Sequence, residues 1–251
     1  MDPQSPAPTR AQAVPSPPRR EIVVAPTLTG RLARLFVVVL AVLAAGHLVA
    51  MLWSDVVGHL SVLSLVQETS VGTWVTSMVH ALCAILATIG ARLARREGSR
   101  WAPNWYGLAA LFALMSLDEV AAIHERFSTP VRQVLGTGGG PLYYAWVIPA
   151  LLFGLVFLLV QVGFLRSLDT RTRRNLILAG LLFVAGAAGL EMVEAVLETQ
   201  GLQHGVAYLS LVLVEELLEL GAIMWVACTL VGDLLRRVGQ VRLQLGPPSA
   251  G

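Results

Sequence analysis

The chain has no lysine. All 18 basic residues are arginine, which reads as the codon bias of a GC-rich genome and carries no mechanism. Charge of either sign is scarce, at 14% of residues against about 25% in a soluble domain. With 55% of its 251 residues hydrophobic and a mean hydropathy of +0.69, the chain is excluded from the ordinary water-soluble globules. Cysteine is nearly absent. Cys83 and Cys228 lie in the middle of apolar runs, which argues against a disulfide framework or a zinc knuckle. No nucleophile motif or cofactor fingerprint stands out. The run Gly138-Gly139-Gly140 lacks the Lys-Ser/Thr pair and strand context of a phosphate loop and reads as a flexible turn.

Proline is concentrated at one end. Seven of the 13 prolines fall within the first 26 residues, among Ser, Ala, Gln and Arg. Such a composition cannot bury a core, so residues 1–30 are expected to be a disordered cytoplasmic tail. The apolar run after it is too long for a signal-peptide core, and no small-residue cleavage site closes it.

Six apolar runs follow, at 32–53, 71–91, 105–127, 142–165, 175–197 and 206–232. Each is near or above the roughly 20 residues that span the hydrocarbon layer. The expected fold is an all-α integral membrane protein, with a six-helix transmembrane domain over 31–236 and a short tail at 237–251. Sixteen of the 18 arginines flank the ends that share a side with the termini; only Arg126 and Arg132 lie opposite. Positive-inside logic then places both termini in the cytoplasm and the protein in the inner (plasma) membrane. Trp53, Trp74, Tyr143, Tyr144, Trp146 and Tyr208 form an outer aromatic belt. Residues 55–69 read as a segment lying in the interface, and Pro149 predicts a kink in the fourth run.

The polar content of these runs is acidic. Asp118, Glu119 and Glu125 lie in the third run, Glu191 and Glu194 in the fifth, and Glu215, Glu216 and Glu219 in the sixth. On straight helices rising about 1.5 Å per residue, these acids share the outer half of the bilayer with His80 and His124. Asp118 and Glu125, seven residues apart, would share one face. The small residues Ala185-Gly186-Ala187-Ala188-Gly189 would let a neighbouring helix approach Glu191 closely. Eight ionised carboxylates with only Arg126 near them are untenable in low dielectric. They bind metal, hold protons, or line a water-filled vestibule.

The pattern Ser116-Leu117-Asp118-Glu119 followed by His124-Glu125, with paired glutamates on later helices, resembles uncharacterised bacterial multi-pass membrane proteins. The likeness covers the helical region and not the tail, and it implies no activity. Carboxylate-bridged di-metal bundles use Glu-x-x-His on two helices; here Ala121 stands three residues before His124, and Glu191-x-x-Glu194 has no histidine.

Three functions remain open at this level. The first is a divalent-metal site made from Asp118, Glu119, His124, Glu125, Glu191, Glu194, Glu215, Glu216, Glu219 and His80, which could serve a metal-dependent enzyme acting on a lipid or apolar substrate. Iron, manganese or zinc would be favoured over calcium or magnesium if a histidine ligates. The second is a proton- or cation-coupled transporter using the same acids. The third is a structural or sensory subunit. Membrane lipids are the expected partners, and no nucleic acid is.

Overall fold

The structure, a computed structural model, describes residues 20–23, 27–53, 62–67, 69–238 and 242–245. They form eight α-helices: α1 (Thr27–Trp53), α2 (Val71–Arg96), α3 (Ala102–Ala121), α4 (Ile123–Leu135), α5 (Val147–Ser167), α6 (Thr170–Val184), α7 (Glu191–Thr199) and α8 (Val206–Val238). A six-residue π-helical stretch, Ala185–Leu190, joins α6 to α7. Two four-residue strands, Arg20–Val23 and Arg242–Leu245, pair antiparallel. Of the expected interfacial segment 55–69, only 62–67 and 69 are described; residues 1–19 and 246–251 of the expected tails also lie outside the described residues.

Among the described residues, four stretches are long and apolar enough to cross a membrane: α1, α2, α5 and the continuous run Thr170–Thr199. A fifth results if α3 and α4, bent by 83° at their junction, count as one span. Helix α8 is 33 residues long and carries Glu215, Glu216, Glu219 and Asp233 along its length.

Local chemistry sets the helix starts. Ser70 caps α2, its hydroxyl accepting from the Thr73 N–H at 3.1 Å. Asp169 caps α6, accepting from the Arg171 and Thr172 N–H groups at 3.0 and 3.1 Å. Each cap satisfies donors that a helix start leaves orphaned. Pro149 falls in the first turn of α5, which begins at Val147 and not at 142. There its missing N–H breaks no intrahelical bond, so the kink expected from the sequence has no cause.

The core forms where α2, α3, α5 and α8 meet. Cys83, Ala87, Ala91 and Ala94 line the buried face of α2, and such small side chains permit close backbone approach. A Cβ on Gly90 would stand 2.9 Å from the Trp105 ring, so α3 packs its indole where α2 has no side chain. Trp105 in turn meets the Phe164 ring edge-on at 5.1 Å. Polar pairs join the helices at two points. Ser77 and Ser116 each donate to the other's backbone carbonyl at 2.9 Å, and Asn104 donates to Gln161 Oε1 at 2.6 Å. In an apolar surround these bonds fix the register between helices.

Candidate functional site: a carboxyl cluster at a broken helix and a π-helical stretch

The third apolar run does not continue as one straight helix to residue 127. It stops at Ala121, and Ala122 takes a left-handed conformation (φ 46°, ψ 48°). Asp118 explains the break. One carboxyl oxygen accepts from the His124 backbone N–H at 2.9 Å, and the other meets His124 Nδ1 at 2.7 Å. Asp118 thereby caps the helix that starts after its own. A straight helix would carry His124 about 9 Å further along the axis than Asp118, at 1.5 Å per residue. The bend brings the two side chains into contact instead and abolishes the shared face expected for Asp118 and Glu125. Glu125 is exposed.

Across from this pair, Trp146 joins two elements. Its ring packs on His124 with centroids 4.7 Å apart, and its indole N–H donates to Glu191 Oε1 at 2.7 Å. Glu191 opens α7 directly after the π-helical stretch. That stretch is small for a reason. A Cβ on Gly186 would lie 2.9 Å from Glu219 Cγ and 3.3 Å from the Glu215 carbonyl oxygen of α8. The close approach expected from Ala185–Gly189 is present, and it seats α7 against the acidic part of α8.

At that seam the Glu194 and Glu215 carboxyls meet side by side. Both residues are buried, 5% and 9% exposed, and Glu194 Oε1 has no hydrogen-bond partner. Glu219 lies within electrostatic range of Glu119, Glu191, Glu194 and Glu216, and Glu191 within range of His124, Glu125 and Glu194. No arginine forms an ion pair with Glu191, Glu194, Glu215 or Glu219 among the described residues.

The histidines divide. His124 belongs to the cluster. His80 is 1% exposed, against the Phe183 ring edge at 6.1 Å; it senses the Asp118 charge, but neither ring nitrogen hydrogen-bonds a carboxyl. His47 is a core histidine. Its Nδ1 accepts from the Leu65 N–H at 3.0 Å, and its Nε2 reaches the Leu209 carbonyl at 3.2 Å, a neutral ring with both nitrogens used.

Aromatic residues that read as a membrane belt also belong to the site. Beside Trp146, the Tyr144 hydroxyl donates to Glu198 and lies 3.4 Å from the Tyr208 hydroxyl. Burial, with the Glu198 carboxylate close by, pushes the Tyr144 phenol above its ordinary range. The sequence signal was available: aromatic residues with a polar atom, placed at the level of the acids. Among the described residues, no group of three His, Cys, Asp or Glu side chains is arranged to hold a metal ion.

A family model, a domain of unknown function (DUF8692), matches residues 33–231. The chain belongs to that family. The matched region runs from early in α1 to late in α8, so it contains the α3–α4 break, the π-helical stretch and every acid of the cluster. No curated protein and no solved structure matches the chain.

Proposed function

We propose that the chain is a proton-coupled membrane transporter with six crossings: α1, α2, the bent α3–α4 pair, α5, α6–α7 and α8. Both termini lie on the arginine-rich, cytoplasmic side of the inner membrane. The observation that carries this reading is the contact between Glu194 and Glu215. Two buried carboxyls side by side, without an arginine partner, do not both ionise; they share a proton.

The break between α3 and α4 supports transport over a purely structural acid network. Discontinuous helices near the membrane midplane are how many transporters expose polar backbone to a substrate or ion. Here that break delivers Asp118 with His124, and the π-helical stretch within the continuous α6–α7 run delivers Glu191 with Glu194, to one region. Towards the arginine-rich end Ala87, Ala91, Trp105, Ala227 and Leu230 pack the interior, and the buried Thr172 and Asp233 are engaged with Arg236. A transporter closed on that side has this packing, and opening it would mean moving α8 against α2.

A second reading keeps a divalent cation. The unpartnered Glu194 Oε1 is a donor atom that a cation between Glu194 and Glu215 would satisfy, and bound metal would supply Lewis-acid chemistry to a membrane enzyme. One preparation separates the two. Protein purified without chelator should carry no stoichiometric divalent metal, and its infrared difference spectrum between two pH values should show a protonated-carboxyl band lost in Glu215→Gln. Stoichiometric metal that disappears in Glu215→Gln would overturn the proton reading. A reporter fused after Gly251 should be active only in the cytoplasm; periplasmic activity would reject the orientation.

A further inference from the structure

The arginine-rich end of the bundle holds a cleft of about 370 Å³ that the carboxyl cluster does not use. Helices α1, α6 and α8 form its walls. We propose that it binds the phosphate headgroup of an anionic phospholipid.

The donors converge from two helices. Arg171 and Asn175 stand one turn apart on α6, and Arg236 reaches in from α8. Arg236 spends one nitrogen on the protein: Nη2 donates to Asp169 at 3.0 Å, Asp233 at 3.4 Å and Thr172 at 2.5 Å. Its Nη1 stands beside Gly232 at the cleft and has no acceptor among the described residues. Asp169 and Asp233 thus fix this guanidinium in place while leaving one edge for a ligand. The Arg171 and Asn175 side chains likewise have no partner among the described residues. Two guanidinium groups and an amide, without a competing acceptor on the free edges, make a donor set for a phosphate oxygen cluster.

The remaining lining favours a lipid over a free anion. Ala33, Trp225 and Cys228 give an apolar floor, while Gly30 of α1 leaves the wall without a side chain. Helix α1 is largely exposed along its length, so the cleft opens beside the surface that the bilayer would cover. A basic pocket between helices at the level of the headgroups is a recurrent form of anionic-lipid recognition.

The test uses the full chain in nanodiscs of phosphatidylcholine with a rising fraction of phosphatidylglycerol. Thermal stability should rise with phosphatidylglycerol, and that lipid should stay bound in native mass spectra. Arg171→Gln should weaken the apparent affinity about tenfold, the loss of one charge-assisted contact. Asn175→Asp, which leaves both arginines in place and brings a carboxylate to the phosphate, should weaken it at least as much. Arg173→Gln removes the same charge outside the cleft and should change little. Equal loss in Arg173→Gln and Arg171→Gln would reduce the effect to diffuse surface attraction and overturn the site. So would equal stability with and without phosphatidylglycerol. Reproduction of the full gain by inorganic phosphate in phosphatidylcholine discs would assign the cleft to a soluble anion and overturn the lipid.

Discussion

Asp118 binds His124 twice, through the backbone N–H at 2.9 Å and through Nδ1 at 2.7 Å, and the helix turns by 83° between them. The carboxylate therefore does two jobs. It caps α4, and it fixes the face that the imidazole turns to Trp146. Removing it with Asp118→Ala takes away a cap worth about 1 kcal/mol and a charged hydrogen bond worth about 1.5–3 kcal/mol. A loss of at least about 2 kcal/mol in detergent is expected, read as a lowered unfolding midpoint. Asp118→Asn keeps the acceptor oxygen for the backbone and should cost clearly less. Equal losses would mean that capping is not what the carboxylate supplies.

Trp146 offers a separable contact. Trp146→Phe keeps a ring against His124 and deletes the indole N–H that serves Glu191 Oε1. A partly buried acceptor left without its donor costs up to about 1–3 kcal/mol. Paired with Glu191→Leu in a double-mutant cycle, the two losses should fall well short of adding. Strict additivity would show that the 2.7 Å contact contributes nothing.

The acids themselves were plain in the sequence, because an ionisable residue inside an apolar run is conspicuous. So were the near-boundaries of α1, α2 and α8 and the small-residue approach at Gly186. The break at Ala122 was not. It depends on a side chain reaching forward six residues to a backbone N–H, and alanine carries no signal of a left-handed turn. Assuming a straight helix therefore missed the contact between Asp118 and His124. Trp146 and Tyr144 were hidden for another reason: an aromatic residue at a helix end fits a lipid-facing belt as well as it fits a hydrogen bond to an acid. Pro149 was misread because its effect depends on where α5 begins.

Two glycines in one apolar run make opposite predictions. Gly186 has Glu219 Cγ and the Glu215 carbonyl where a Cβ would stand, whereas Gly180 has open space. Gly180→Ala should stabilise by about 0.5–1 kcal/mol, the helix-propensity gain alone. Gly186→Ala has to push α8 away, at a cost of about 1–3 kcal/mol that outweighs the same gain. Unfolding midpoints should therefore move in opposite directions. A stabilised Gly186→Ala would show that the π-helical stretch and α8 do not meet as closely as the structure has them.

The loop between α5 and α6 should contribute a small pH dependence to stability in acid. Burial opposes ionisation of Asp169, but hydrogen bonds from Thr172 and the backbone, with the Arg236 guanidinium, outweigh it and hold the carboxyl at about 2. An unfolded aspartate titrates near about 3.9. The folded value is the lower one, so the unfolded chain takes up the proton first. Stability from this group is fully present above about pH 4 and is lost as pH falls towards about 2. Asp169 is 46% exposed, so solvent screening keeps the effect small. Between about pH 4 and 2 the wild-type midpoint should fall more steeply than that of Asp169→Asn. The variant should start lower at neutral pH, because an amide caps α6 but cannot pair with Arg236. Parallel curves for the two proteins would mean that Asp169 is not held by these partners in the folded state.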